Sequence, residues 1–572
     1  GPTEWFTGKL LPLTLGRQVP GQYHETVGPT DKVPGLSYHN YFLLALEDPP
    51  NKHRNTMTPT RTGLHIGITS LALVLLWRLA RRPKIRHPPS PTSLPLLGNI
   101  LSMPVGHEFI AFEKLGKELK SDIVFLEIFG HKLLVLNSAE AALEVLEKRS
   151  ALHSDRPPLP MLTDPTLMNW PGLPSVVGYN DLWRHYRRMM NNWLNARAVT
   201  QFDNLQERQA RLLLQRLLSG TNHAQPFEKL RDEFFFTMSS SIYELAYGYS
   251  PQGPQDRFFK ESHQAFHNAT VAGMQTNFFV NIFPALSYVP DWFPGTGWKR
   301  TAREWRAQHE NAKNEPYEWL KAQVASGTNQ PSLLGSLLQD HKITSGLSPA
   351  ERDERLKEIG IVLYGGGTDT SSNFLVSFVA AMVTNPHVQA KAQQELDAVL
   401  GPAVLPTVSD KDRLPYIKNL IDEVLRLYPV TPLGVPHAAF EDDIYRGYDI
   451  QKGTTILGNL WAIGRDPRHY QDPEIFNPDR YLDPDVPRVP AFGWGRRKCP
   501  GIHFAETSIF IATALLLSVF TFSKKKDSDG RDIVPRVELE PNSIILELKP
   551  FDFEFKPRSN QHYQLILGAI DE

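Results

Sequence analysis

Phe492-Gly493-Trp494-Gly495-Arg496-Arg497-Lys498-Cys499-Pro500-Gly501 holds the single cysteine of the 572-residue chain. A lone thiol excludes an internal disulfide and any zinc site built on two or more thiolates. Three readings remain for Cys499: an inert buried thiol, a nucleophile, or the one thiolate ligand of a metal cofactor. With ordinary neighbours a free cysteine packs as a small hydrophobe. Here three glycines, two arginines and a proline surround it. Backbone of that kind comes close to another group, and the arginines meet negative charge.

A haem iron held by a single thiolate fits that description. The segment resembles the haem-binding loop of cytochrome P450 enzymes, with Phe, Gly, Arg, Cys and Gly at the family's spacing. The resemblance implies that Cys499 is the axial metal ligand of haem b, iron protoporphyrin IX, whose thiolate favours O–O cleavage. It implies that Phe492 shields the sulfur and that Gly501 lets the following helix approach the porphyrin. Backbone N–H groups of the loop are expected to face the sulfur. Arg497 is implied as a partner of the haem propionates, together with Trp183 and Arg187, which reproduce the family's Trp-x-x-x-Arg helix, and with His437 in Val435-Pro436-His437. Arginine suits that role through its planar fork and fixed charge.

Two further motifs agree in order and distance. Ile361–Ser372 reads IVLYGGGTDTSS. Three glycines in a helical context cost about 1 kcal/mol each against alanine, so something requires them. A phosphate loop lacks its strand–Gly–Lys–Ser/Thr arrangement here. Gly366-Gly367-Thr368-Asp369-Thr370-Ser371 resembles the family's oxygen-activation motif. That implies room for O2 at Gly366 and Gly367, with Thr370 stabilising bound dioxygen and Asp369 connecting the proton relay to solvent. Glu423 and Arg426 stand at i and i+3 on one helix face. With Arg480 in Phe476-Asn477-Pro478-Asp479-Arg480 they resemble the family's structural lock and are assigned to the fold, not to chemistry.

Composition is that of a large globular enzyme: 41% apolar, 22% charged, formal net charge −1. No basic stripe points to nucleic acid. Gly63–Ala80 is an apolar run followed by Arg81, Arg82, Lys84 and Arg86. Its uninterrupted part is shorter than the ~20 residues that span a bilayer comfortably, although Arg78 can snorkel. It lacks a small-residue cleavage site and reads as a retained anchor. Basic residues on its C-terminal side place the main domain in the cytosol. The expected organisation is an unassigned, poorly ordered extension over 1–56, upstream of the first methionine, Met57. A transmembrane anchor (57–82), a proline-rich hinge (83–99) and a haem-thiolate catalytic domain (100–572) follow. This places the protein in the endoplasmic reticulum membrane as a single-pass monomer, and its one sequon, Asn268-Ala269-Thr270, should stay unmodified.

Asp122–Asn137 has a β-hairpin pattern around Gly130 and His131, and Ser138 is placed to cap a helix over Ala139–Lys148. Long helical patterns fill about 184–425. Short strands and turns return after Pro429, and the 47 prolines make loops the expectation for the last third. The fold class expected is mainly α with a minor β region. Substrate contacts are expected, by analogy, from 157–177, 266–283, 363–367, 431–435 and 542–546, which are apolar and suit a lipophilic small molecule. Phe283–Leu286, Tyr288–Gly295 and Lys556–Ser559 resemble fungal family members of secondary metabolism. The implied reaction is monooxygenation with O2, its electrons drawn from NADPH through a separate reductase that Arg496 and Lys498 could meet. A peroxide-using or rearranging haem-thiolate enzyme and a non-catalytic haem sensor are the alternatives.

Overall fold

Ser348-Pro349-Ala350-Glu351 starts the longest helix with a capping box. Ser348 Oγ accepts the Glu351 N–H at 3.3 Å, and the Glu351 carboxylate accepts the Ser348 N–H at 2.9 Å. Pro349 occupies the first helical position, where no N–H is needed. The helix runs Pro349–Thr384 and stops before Asn385-Pro386, since a residue preceding proline is pushed out of the helical region. The computed structural model describes residues 85–570 apart from 104–105, 222–224, 341 and 541–542, together with Ser70. The expected extension over 1–56, and the anchor over 57–82 apart from Ser70, lie outside the described residues. Residues 84–572 form one compact unit.

That unit is mainly helical, 54% helix against 8% strand. The second half of the long helix is buried on every side. Phe374, Leu375, Phe378 and Met382 pack against Leu230 and Phe234 of the Pro226–Tyr247 helix, Leu420 and Val424 of Pro415–Leu427, and Ile511 and Leu515 of Ile502–Val519. The last of these is the helix expected to follow Gly501, and only its length goes beyond the sequence reading. It stands in the region read as strands and loops, yet no proline interrupts Gly501–Phe520, and a stretch apolar on all faces carries no amphipathic period to read. Among the described residues it is also the one helix long and apolar enough to cross a membrane. Most of it is buried, so it is a core helix.

The sheet forms where the sequence alternates. Ile123–Ile128 pairs antiparallel with His131–Leu136 through the two-residue turn Phe129-Gly130, both with positive φ, as a hairpin twist requires. His131–Leu136 then pairs parallel with Thr455–Gly458, which pairs antiparallel with His437–Ala438. Ser138 Oγ accepts the Ala141 N–H at 3.1 Å, as expected of the cap. The helix it opens is α only over Ala139–Ala142 and continues as a π-turn over Leu143–Lys148. The described part of the expected hinge is tied to the sheet edge: Pro89 accepts the Phe125 N–H at 2.9 Å, and Asn99 Oδ1 accepts the Glu127 N–H at 2.8 Å.

Glu423, Arg426 and Arg480 do come together. The Glu423 and Arg426 side chains are wholly buried, and Arg480 is 5% exposed. Glu423 receives Arg426 Nε and Nη2, each at 2.8 Å, and Arg480 Nε at 3.0 Å. It also accepts the Asn477 N–H at 2.8 Å. Arg426 Nη1 donates to the carbonyls of Gly464 and Pro473, both at 2.6 Å. One helix thereby fixes the irregular chain from Gly464 to Arg480. Removing one member leaves buried charge uncompensated, which costs about 3–5 kcal/mol. Glu423→Gln is therefore expected to lower unfolding stability by that amount in denaturant titration; a loss below about 1 kcal/mol would show the triad is not holding this region.

Candidate active site

Cys499 sits at the end of a loop that its own backbone closes. Its N–H donates to the Phe492 carbonyl at 2.9 Å, and a single 3₁₀ turn covers Gly495–Arg497. Gly495 has φ +53, and a Cβ there would lie 2.6 Å from the Leu146 carbonyl oxygen, so only glycine lets the loop rest on the π-turn. Cys499 keeps intermediate exposure, yet burial pushes its thiol pKa up. The Gly501 N–H and the Arg187 charge act in the opposite direction and favour thiolate. A bound metal would deprotonate the sulfur outright.

The Asp181–Leu194 helix begins at Asn180, whose side chain accepts the Trp183 N–H at 3.0 Å. One turn on, Arg187 Nη1 donates to the Lys498 carbonyl at 2.8 Å, which ties this helix to the cysteine loop. Arg187 thus attends the sulfur side of the site. Arg497 lies over the Trp183 ring with 4.5 Å to its centroid. Its Nε donates to Ser154 O and its Nη2 to Val177 O, both at 2.7 Å, while Nη1 is buried without a partner.

Arg156, which sequence reasoning missed, completes this cluster. Its Nη1 donates to Val435 O at 3.0 Å and Pro436 O at 2.5 Å, and its Nε is buried without a partner. Among the described residues neither Arg156 nor Arg497 has a carboxylate within 4.0 Å. Burial first, and then the Arg156 charge, pushes the Arg497 pKa down to about 8; burial takes Arg156 to about 10. Guanidinium stays protonated, so these values report the cost of burying two cations that Asp155 offsets only in part. His437 gives its Nδ1–H to the His153 carbonyl at 2.8 Å, and burial plus the Arg156 charge takes its pKa to about 3. With no anion beside it among the described residues, this environment favours the neutral imidazole. A haem fits this donor set. Its two propionates would balance Arg156 and Arg497 and lift His437 toward its charged form.

The three consecutive glycines of the long helix divide their work. A Cβ on Gly365 would sit 1.9 Å from the Phe266 ring, and one on Gly367 would sit 2.4 Å from Ile242 Cδ1. Those two admit neighbouring helices. Gly366 alone would meet nothing within 4 Å, so the room expected at both Gly366 and Gly367 exists at Gly366 only. Thr370 Oγ1, one turn on, donates to the Gly366 carbonyl at 2.6 Å. Asp369 is buried and its Oδ1 lacks a hydrogen-bond partner; burial, then the Glu547 charge, holds its pKa well above the usual carboxylate range. A separate cleft brings together Gly273 and Met274, Pro432 to Gly434, and Ile544, from three of the expected substrate segments. Asn542 lies outside the described residues.

Comparison with known proteins places the chain consistently. The family model for Cytochrome P450 matches residues 88–553. Cytochrome P450 monooxygenase 98 of Postia placenta is 36% identical over 523 residues, 90% of this chain and 98% of that protein. Cytochrome P450 monooxygenase claR of Ampulloclitocybe clavipes is 34% identical over 551 residues, covering 94% and 97% of the two chains. The eriA monooxygenase of Hericium erinaceus is 34% identical, covering 89% and 97%.

If the arginine cluster balances the propionates, Arg156→Gln and Arg497→Gln each remove a charged hydrogen bond of about 1.5–3 kcal/mol. Haem transfer to a high-affinity apoglobin should then quicken about ten- to a hundredfold in each variant. Transfer at the wild-type rate in both would remove the assignment.

Proposed function

The chain belongs to the cytochrome P450 family and is a monooxygenase; from that premise we propose that it inserts one oxygen atom of O2 into a lipophilic small molecule of fungal secondary metabolism. Cys499 would hold its haem through the thiolate. The observation that carries this assignment is the only thiol of the chain, partly exposed at the end of a loop whose Arg497, with Arg156, keeps a buried nitrogen without a partner. Haem with one thiolate ligand supplies one-electron redox chemistry and favours O–O cleavage.

The protein's own part is positional and protonic. Arg156 and Arg497 orient the cofactor by its propionates, and Arg187 with the Gly501 N–H sets the basicity of the Cys499 sulfur. Gly366 keeps space free on the long helix. Thr370 Oγ1 holds a proton at the rim of that space, and Asp369 holds the next one behind it. Apolar side chains from 157–177 and 266–283 exclude water and select a lipophilic compound.

Electrons come from a separate NADPH-dependent reductase. The family match takes up 88–553, and the exposed Arg496 and Lys498 next to the ligand loop suit an acidic partner surface. The apolar run over Gly63–Ala80, with basic residues after it, supports a single-pass anchor in the endoplasmic reticulum membrane and a cytosolic catalytic domain. Secondary metabolism rests on the resemblance of Tyr288–Gly295 and Lys556–Ser559 to fungal members of the family, and the relatives are fungal.

With reductase, NADPH and ¹⁸O₂, a panel of lipophilic compounds should yield products carrying one labelled atom. Thr370→Ala should lower product per NADPH by about tenfold or more and release hydrogen peroxide instead. Turnover driven by peroxide without reductase, equal in wild type and Thr370→Ala, would favour the peroxide-using alternative. Tight haem binding with no turnover under either condition would favour a sensor.

A further inference from the structure

Asp369 needs a route to water, and its own helix gives it none. Its side chain is 8% exposed, and its Oδ1 is buried without a hydrogen-bond partner. The atom it faces is His263 Nδ1, 3.8 Å away on the Arg257–Ala272 helix, and that nitrogen also lacks a partner. Two unpartnered buried polar atoms pointing at one another are uncommon in a folded protein. The gap exceeds a direct hydrogen bond, and a side-chain rotation or one water closes it. Phe266, on the same helix as His263, fills the notch at Gly365 and brings the two helices close enough for the pair to form. The imidazole is held by Phe259, stacked at 6.1 Å, and by Phe235, edge-on at 5.0 Å. Its far side is open: the His263 side chain is 45% exposed, and His267 lies one turn further along that helix.

We propose that His263 is the relay residue between water and Asp369. Its Nδ1–H gives a proton to the Asp369 carboxylate as Nε2 takes one from water, and tautomer exchange restores the ring. One proton enters and one leaves, so Asp369 regains what it passes toward Thr370. Proton affinities on the two sides agree with this. Burial lifts the Asp369 carboxyl, and burial together with the His267 and Arg231 charges takes His263 down to about 4. Burial disfavours the charged form of both groups, so neither is held as a fixed ion between transfers. Glu547, also raised by burial, adds to the field on Asp369 and shares Arg231 as a neighbouring charge. This inference rests on the role proposed for Asp369.

The test uses the haem-loaded full chain with His263→Gln, His263→Phe and Asp369→Asn. Infrared spectroscopy identifies the protonated Asp369 carboxyl as the C=O band lost in Asp369→Asn, and mixing into D₂O times its exchange. A relay predicts that both His263 variants slow that exchange about tenfold or more and raise the solvent isotope effect on product formation. Glutamine keeps a polar side chain but cannot take up and release a proton, so exchange at the wild-type rate in His263→Gln would overturn the relay. If thermal melting shows that His263→Phe does not fold, His263→Gln decides alone. Exchange is read without turnover, so a wild-type chain that oxygenates nothing would count against the proposed function and leave this result to be judged separately.

Discussion

The buried contact of Glu423 with Arg426 and Arg480 is the constraint on which the proximal half of the molecule depends. The chain between Gly464 and Arg480 has little regular structure, and its carbonyls need donors. Arg426 and Arg480 supply them to Gly464, Pro473, Gln471 and Ile475, while the Glu423 carboxylate is shared between both guanidinium groups. An irregular segment is thereby fixed, and the cysteine loop begins at Phe492, a short stretch further along the chain. Geometry at Cys499 is inherited from a salt-bridge network that takes no part in chemistry.

A second group of buried arginines is arranged in the opposite way. Arg426 and Arg480 both bind Glu423 directly, whereas Arg156 and Arg497 donate to backbone carbonyls, feel the Asp155 carboxylate without an ion pair and keep unpartnered nitrogens. Buried charge without a counter-ion is costly, and a fold retains it where a ligand brings the missing charge. The long helix shows the same division in its glycines. Gly365 and Gly367 let neighbouring helices in, and Gly366 leaves room. Structure and function therefore draw on adjacent residues of one motif, and spacing along the chain does not separate them.

Local features were the most legible in sequence. The loop ending at Gly501, the hairpin around Gly130 and the Ser138 cap depend on residues close in the chain, and each appears where its pattern puts it. A helix after Gly501 was expected, but its extent to Val519 was hidden by its uniform burial, and the π-turn over Leu143–Lys148 has no signature apart from an α-helix. Arg156 stands more than three hundred residues before Arg497 and meets it only through folding. His263 and His267 at i and i+4 offered a faint signal, but the carboxyl that gives His263 meaning lies on another helix. His437 was readable as a site residue and not as a neutral one, because its charge state is set by arginines that arrive from elsewhere.

Everything said of the site turns on Cys499 holding the haem iron. The most direct test is the reduced, carbon monoxide-bound difference spectrum of the purified protein beside Cys499→Ala. A red-shifted Soret band of the thiolate type, present in the wild type and absent from the variant, is the result this account requires. A histidine-type band in the wild type, or a thiolate-type band that survives loss of the chain's only cysteine, would contradict it.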